Sequence, residues 1–164
     1  METTLNIEQI RASHAFKLAE KGNEQEAEAK KNGSKFNYSA QMKSFPPLLK
    51  TNGLLNSLGF YYAKGKDFAN DNENEFATIF NQILSWFREH EPTGFLKNKF
   101  TCSAETNAKT KAKEFMQILL RLSEEEYRFA FNETKAFTKW LVRFVADEPK
   151  NEPKNEPDKQ PETV

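Results

Sequence analysis

The sequence has few of the residues that build metal or disulfide sites. Among 164 residues there are one cysteine and two histidines. Cys102 has no second cysteine with which to form an internal disulfide. Cys102, His14 and His90 are too few and too far apart in the sequence to match a zinc site, which needs paired cysteine or histidine clusters. This usage is typical of a protein of the reducing cytoplasm.

Long apolar runs are also missing. No stretch approaches the roughly 20 consecutive apolar residues that cross a bilayer. The first residues, METTLNIEQIR, place an acid where a signal peptide carries a basic stretch followed by an apolar one. We therefore expect a cytoplasmic protein without membrane contact.

Catalytic motifs are absent from the sequence as well. Nucleophilic catalysis needs a serine or cysteine beside a base that a third group orients, and no such partner is evident for His14 or His90. The acidic runs at 71–73 and 124–126 lie at predicted helix starts, where carboxylates favour the positive end of the helix dipole. No glycine-rich phosphate loop is present. The sequence therefore predicts a protein that is not an enzyme and that uses neither a cofactor nor a metal.

What the sequence does contain is helical periodicity. Apolar residues recur three and four positions apart, and no segment alternates with a period of two. This pattern predicts an all-α fold, a compact bundle of about five to six helices in one domain over residues 1–147. Residues 148–164 are rich in Pro, Glu and Lys, and their composition predicts a disordered tail.

Glycine pairs mark the predicted breaks in the first half of the chain. Periodicity predicts a first helix over residues 7–21, which Gly22-Asn23 ends or breaks. The polar segment 24–37 is compatible with a helical extension that frays into a loop around residues 32–34. A second helical region covers 38–65. Within it, Asn52-Gly53 is either a C-cap that divides the region or a tolerated break within one helix.

Helix starts are predicted from side chains that accept hydrogen bonds from the first free N–H groups. Ser44 is predicted to cap a helix whose first turn holds Pro46-Pro47, since the N–H groups lost there have no partner inside the helix. Three later helices are predicted, at 72–91, at 104–122 and from 123 onward. A capping box of Asn72 and Glu75 marks the start of the first, and a capping box of Ser123 and Glu126 marks the start of the last.

Charges are segregated along the chain, although the formal net charge is zero. Between positions 29 and 66 there are seven lysines and no acid. Patches of this kind permit contact with a polyanion such as RNA, although a solvated lysine surface is the more common explanation.

The last helix carries a second basic surface. Its four bases are separated by 7, 4 and 4 residues, so that at 100° per residue they fall within about 80° on the side away from the apolar residues. Trp140 beside them, and Tyr61-Tyr62 near Lys64, could stack on an unpaired base, although such aromatic residues are more often core. The candidate RNA-binding residues are Lys43, Lys50, Lys64, Arg128, Lys135, Lys139 and Arg143.

Four blocks of sequence, taken together, resemble the small-subunit family of the type III-B CRISPR effector (Cmr) complex. QIRA at 9–12 resembles its N-terminal helix, and KSFPPLLKTNGL at 43–54 with LGF at 58–60 is similar to its Lys-x-x-Pro and Asn-Gly-Leu stretch. LSWF at 84–87 resembles its middle helix, and YRFA at 127–130 through WLVRFVA at 140–146 resembles its closing helix. The resemblance covers residues 6–147, and segments 24–37 and 88–104 depart from the family pattern.

The resemblance implies a non-catalytic structural subunit of a crRNA-guided complex. Such a subunit stacks with copies of itself in the minor filament and contacts the large polymerase-like subunit and the backbone subunits. Its basic helix faces run along crRNA and target RNA, and RNA cleavage belongs to other subunits. Two alternatives remain open: a helical protein-interaction module whose basic faces meet acidic proteins, and a small-subunit analogue from the related type III-A complex.

Overall fold

The chain is predominantly helical in the part that the structure describes. A computed structural model describes residues 4–65 and 73–146. The helices in these segments are α1 (Ile7–Lys31), α2 (Tyr38–Gly65), α3 (Glu75–Ser85), α4 (Ala108–Leu120) and α5 (Glu124–Phe144), with a π-helical turn at Trp86–His90 and a 3-10 turn at Lys97–Lys99. No strand occurs in either segment, which confirms the prediction of an all-α fold.

Some predictions fall on residues that the structure does not describe. The predicted disordered tail at 148–164 lies outside the described residues, as do Lys66 and Asn72. Over residues 4–65 and 73–146, no helix has both the length and the apolar composition needed to cross a membrane.

α3 lies at the centre of the bundle. Seven of its eleven residues are buried, and it packs against α2, α4 and α5. The Phe80 ring lies 5.6 Å from the ring of Phe115 on α4, and Trp86, which follows α3, stacks on Phe137 of α5 with 4.7 Å between ring centroids. A helix that is buried around most of its circumference needs apolar residues beyond a single stripe, and α3 has them.

α1 does not end at Gly22-Asn23, so the predicted break there is wrong, and the helix continues to Lys31 as the predicted helical extension. Gly22 is buried, and a Cβ atom placed on it would lie 2.2 Å from Cε1 of Tyr38. Glycine is therefore needed because α2 approaches the backbone of α1 closely. The Asn23 amide donates to the carbonyl oxygen of Phe144 at 3.0 Å and accepts from the N–H of Ala146 at 2.9 Å. Both residues thus serve contacts between helices rather than helix termination.

α2 begins at Tyr38, so Ser44 is not its N-cap and the proline pair lies in its interior. The Ser44 hydroxyl instead donates to the Ala40 carbonyl oxygen at 2.9 Å. Glu26 of α1 accepts from the backbone N–H of Ser39 at 3.3 Å and from its hydroxyl at 2.9 Å. A buried carboxylate from another helix therefore satisfies the start of α2. The predicted helical region 38–65 coincides with α2, and only the predicted cap at Ser44 is wrong, because no local pattern signals a contact with another helix.

α2 is divided at Gly53, which has φ 77° and ψ 176°. This backbone conformation favours glycine. The division leaves the N–H groups of Leu54 and Leu55 without the usual helical acceptors, and the hydroxyl of Tyr127 on α5 accepts from both, at 3.1 and 3.3 Å. Of the two interpretations of Asn52-Gly53, the structure therefore supports the one in which this pair divides the region into two helical halves.

The starts of α3 and α4 lie further along the chain than predicted. Asn74 caps α3 by accepting from the N–H of Ala77, and Asn107 caps α4 by accepting from that of Thr110, both at 2.9 Å. The predicted cap at Asn72 and the predicted start at 104 are therefore wrong. α5 begins as predicted, because the side chains of Ser123 and Glu126 each accept from the other's N–H, at 3.2 and 3.1 Å.

Charged side chains hold the long connection between α3 and α4. Glu91 accepts from the N–H groups of the two nearby loop residues 93 and 95, at 3.0 and 3.2 Å. Glu114 of α4 accepts from the N–H groups of Thr101 and Cys102, and Arg88 donates to the Cys102 carbonyl oxygen at 2.7 Å. The connection is therefore fixed to α4 and to the π-helical turn by specific hydrogen bonds.

Candidate nucleic-acid interface

α5 has one buried face and one cationic face. Ala130, Thr134, Phe137 and Leu141 are buried against the other helices. Arg128, Lys135, Lys139 and Arg143 are all exposed and follow one line of the helix surface, and we call these four residues the cationic stripe. At 1.5 Å per residue the cationic stripe is about 22 Å long. The structure thus places the four predicted bases of α5 together on the protein surface.

The four cations differ in their neighbours. Arg128 pairs with Glu124 at 3.0 Å, but the two side chains are 69% and 90% exposed, so the pair is weak. The Arg143 guanidinium lies 5.3 Å from the centre of the Trp140 ring. Among the described residues, no acid lies within ion-pair distance of Lys135 or Lys139. These two lysines are the members of the stripe most available to an external anion.

Trp140, which the sequence suggests as a base-stacking residue, already has several neighbours. Its indole N–H donates to Glu8 at 2.9 Å, and its ring stacks on Phe144 with 5.9 Å between centroids. The hydrogen bond from Trp140 is the main cause that lowers the pKa of Glu8, and Arg11 and Lys139 lower it further. Trp140 therefore joins α5 to α1 and holds an acid close to the cationic stripe.

Tyr61 is not placed to stack on RNA, because it is buried. Its hydroxyl donates to the Gln41 carbonyl oxygen at 2.9 Å, and burial raises its pKa to about 12. The half-buried ring of Tyr62 packs 5.7 Å from that of Phe80. The suggestion of base stacking is therefore wrong for Tyr61, and both tyrosines contribute to packing in the core.

The three candidate lysines of α2 are spread along that helix. Lys43 is half-buried, and its Nζ donates to the carbonyl oxygen of Ala146 at 3.5 Å, just past the end of the cationic stripe. Lys50 is exposed seven residues further on, which places it on the same side of the helix. Lys64 lies beyond the division of α2, with its Nζ 5.8 Å from the centre of the Phe60 ring. Of the three, Lys43 is the one that the structure brings to the end of α5.

Glu133, a residue that the sequence reasoning did not single out, fixes α5 against α1 and the π-helical turn. It is 5% exposed and accepts from Arg11 through Nε at 2.9 Å and Nη2 at 2.6 Å, and from Trp86 Nε1 at 3.0 Å. A bidentate pair of this kind fixes orientation as well as charge, and it raises the pKa of Arg11. The sequence contains one indication of this role, because Glu133 is an acid on the apolar face of α5, between Ala130 and Phe137.

The two histidines form a stacked pair, with 3.7 Å between the ring centroids of His14 and His90. Burial, with a further contribution from His90, lowers the pKa of His14 to about 4, so its ring is uncharged at neutral pH. His14 Nε2 lies 3.2 Å from Ser85 Oγ, but no carboxylate within the described segments hydrogen-bonds to His14 to orient it. The same segments contain no group of three His, Cys, Asp or Glu residues that could hold a metal ion.

The fold and the cationic stripe together define a class of protein: a small helical domain that buries one face of its last helix and presents bases on the other. The family model of a CRISPR-associated protein, Cas_Cmr5, matches residues 7–148, and the chain belongs to this family of type III-B small subunits. The match includes all five helices and the whole cationic stripe. No curated protein matched the chain.

Proposed function

We propose that the protein is a non-catalytic structural subunit of a crRNA-guided type III-B complex and that its cationic stripe lines the guide–target RNA. One observation carries this proposal. Lys135 and Lys139 are exposed in line with Arg128 and Arg143, and no acid of the described segments lies within ion-pair distance of either lysine.

Four aligned cations suit a polyanion better than a single small anion. Contacts of this kind go to phosphates, so binding is expected to be independent of base sequence. If all four cations contact phosphates, the logarithm of the binding constant falls with the logarithm of salt concentration with a slope of about −3 to −4. We therefore expect the RNA retention that the stripe provides to fall steeply as the salt concentration rises.

In the proposed assembly, residues 1–147 form one small-subunit domain. The domain stacks with copies of itself in the minor filament and contacts the large polymerase-like subunit and the backbone subunits. Lys50 and Lys64 are further candidate contacts for crRNA or target RNA, since both are exposed. Lys43 remains a candidate with a second role, because it also binds the end of α5.

Charge reversal within the assembled complex tests the proposal. The double variant Lys135→Glu/Lys139→Glu changes the two cations that have no acid of the described segments within ion-pair distance, and it leaves the contact of Arg143 with Trp140 in place. Two charges are reversed, so the net charge changes by −4 on a surface that is proposed to face phosphates. We expect assembly to persist and target-RNA retention to weaken at least about tenfold at physiological salt.

A matched control is available on α4. Lys109 and Lys113 are also exposed and four residues apart, so Lys109→Glu/Lys113→Glu makes the same change in charge on another helix. The RNA-lining role is wrong if the stripe variant retains target RNA as well as this control does.

Exposed apolar side chains favour a second function, that of a helical protein-interaction module. Phe16 is 48% exposed and Leu120 is 67% exposed, and exposed apolar side chains are a feature of surfaces that bind other proteins. A module of this kind keeps its protein partners after nuclease treatment and protects no RNA from digestion. Nuclease protection by the purified complex therefore distinguishes the two functions.

A further inference from the structure

The cationic stripe has a candidate ligand within the same chain. Eighteen residues follow Ala146, with the sequence DEPKNEPKNEPDKQPETV. We infer that this acidic segment, residues 147–164, binds the cationic stripe in the free subunit and is displaced when an external polyanion binds there. The binding itself does not depend on the proposed function, whereas the competition with RNA rests on it.

The structure fixes the point at which the segment begins. The N–H of Ala146 donates to the Asn23 side chain at 2.9 Å, and Lys43 Nζ donates to the Ala146 carbonyl oxygen at 3.5 Å. Asn23 also donates to the carbonyl oxygen of Phe144 at 3.0 Å. Hydrogen bonds from α1 and α2 therefore hold Ala146 only three positions after Arg143. The acidic segment begins beside the surface that it is inferred to bind.

The charges of the segment and of the stripe are complementary. The segment contains six acids and three lysines, which gives it a formal charge of −3. The stripe carries four cations, and Lys135 and Lys139 lack an acid within ion-pair distance in the part of the chain described. Because the lysines of the segment offset half of its acids and the contact is exposed, the attraction is modest and sensitive to salt.

The segment is long enough to cover the stripe. Its prolines at 149, 153, 157 and 161 disfavour a helix and favour an extended chain. An extended chain of this type advances about 3.1 Å per residue, so eight residues cover about 25 Å and exceed the stripe's length of about 22 Å. The four acids between positions 147 and 156 can therefore lie along the whole of the stripe.

Tethering makes a weak contact effective. A segment joined directly to its binding surface has an effective concentration in the millimolar range, so a contact with a millimolar dissociation constant is about half occupied. If the segment occupies the stripe half of the time, the apparent affinity of the stripe for a competing polyanion falls about twofold. If it occupies the stripe nine tenths of the time, that affinity falls about tenfold. The inferred contact therefore reduces RNA binding by the free subunit without preventing it.

Full-length charge variants of the segment test this inference. The first variant, Glu148→Gln/Glu152→Gln/Glu156→Gln/Asp158→Asn, removes four acids, and the second, Lys150→Gln/Lys154→Gln/Lys159→Gln, removes the three lysines. We expect the amide NMR signals of the outer face of α5 to shift in opposite directions in the two variants. The affinity for a single-stranded oligouridine at low salt should rise about twofold to tenfold in the first variant and fall in the second.

The stripe itself supplies the control. In a Lys135→Gln/Lys139→Gln background, the substitutions in the segment should no longer move the α5 signals. Signals that stay unchanged in both segment variants overturn the inference, and so do shifts that depend on protein concentration, because they assign the stripe to a second copy. If the signals respond as expected but stripe charge reversal leaves target RNA bound in the complex, the inference stands and the proposed function fails.

Discussion

Gly22 allows the ring of Tyr38 to lie against the backbone of α1. The ring cannot easily move away, because its hydroxyl donates to Gln82 at 2.8 Å. A Cβ at position 22 would lie 2.2 Å from Tyr38, so Gly22→Ala should lower the free energy of unfolding by about 1–3 kcal/mol. Urea denaturation measures this change.

Gly59 provides the matched control for that substitution. A Cβ at this helical position would lie 3.9 Å from Met116 Cε, which is ordinary contact. Gly59→Ala should therefore raise the free energy of unfolding by up to about 1 kcal/mol through helix propensity. If both alanine variants are stabilised, the close approach at Gly22 is not the reason for glycine there.

His14 should make stability depend on pH. Its pKa is about 4 in the folded protein and 6.5 without burial, so the unfolded chain binds more protons between these values. The free energy of unfolding should therefore fall as the pH falls from about 6.5 to about 4, by about 1–2 kcal/mol after allowance for partial exposure. Denaturation across this pH range should show a smaller change in His14→Phe, which cannot titrate at this position. An equal pH dependence in both proteins would contradict the assignment.

At the residue scale, the sequence predicts which face of a helix a side chain lies on, but not which side chains of other helices it contacts. Periodicity places Lys135 and Lys139 away from the apolar face of α5, because the angle between residues in a helix is fixed. The contact of Trp140 with Glu8 joins positions that are 132 residues apart in the sequence, and no local spacing indicates it. Exposure of the stripe therefore follows from local geometry, whereas the partners of its aromatic neighbour require the fold.

The second half of α2 depends on a side chain of α5. The Tyr127 hydroxyl accepts from the N–H groups of Leu54 and Leu55, so it acts as an N-cap supplied by another helix. Tyr127→Phe should lower the free energy of unfolding by about 1–2 kcal/mol, as loss of an N-cap does. Hydrogen exchange should accelerate at Leu54 and Leu55 more than at Leu49 in the first half. Uniform acceleration along α2 would argue against a capping role.

At the scale of helices, the start of α5 was predictable from a local capping box. Ser123 and Glu126 lie three residues apart, and the capping box they predict is present. The start of α2 is satisfied by Glu26, which lies 13 residues from its partner Ser39 and belongs to another helix. Local spacing therefore located the start of α5, but not those of α3 and α4, where Asn74 and Asn107 accept from the first turn further along the chain than predicted. It gives no sign of an acceptor that a neighbouring helix provides.

For the molecule as a whole, the pair of Arg11 and Glu133 sets how α5 lies on α1. Removing Glu133 breaks the bidentate contact but leaves Arg11, whose side chain is 14% exposed, paired with Glu8. Glu133→Gln should therefore destabilise the protein by about 1–3 kcal/mol, the usual cost of losing hydrogen bonds to a charged group. The double variant Arg11→Met/Glu133→Gln should be less destabilised than the sum of the single variants, which a double-mutant cycle measures.

The exposed pair of Arg128 and Glu124 is the matched control for this buried pair. Glu124→Gln removes the same type of charge on the same helix, but at a side chain that is 90% exposed. We expect it to change the free energy of unfolding by less than about 1 kcal/mol. Comparable effects at positions 124 and 133 would mean that burial does not determine the importance of the Arg11 pair.

The candidate interface was predictable from sequence only within one helix. The cationic stripe lies on α5 alone, so its alignment follows from spacing. The lysines between 29 and 66 form one cluster in the sequence, but Lys43 reaches the end of α5 while Lys64 lies beyond the division of α2. Their positions relative to the stripe depend on how the helices pack, which spacing along the chain does not determine.

The cap on α2 also has a consequence for the order in which the chain folds during its synthesis. Leu54 and Tyr127 are 73 residues apart, and a ribosome that adds about 5–20 residues per second needs about 4–15 seconds to pass from one to the other. During that interval the second half of α2 has been made but its first amides have no acceptor from α5. Completion of α2 therefore has to wait until the last helix has been synthesised.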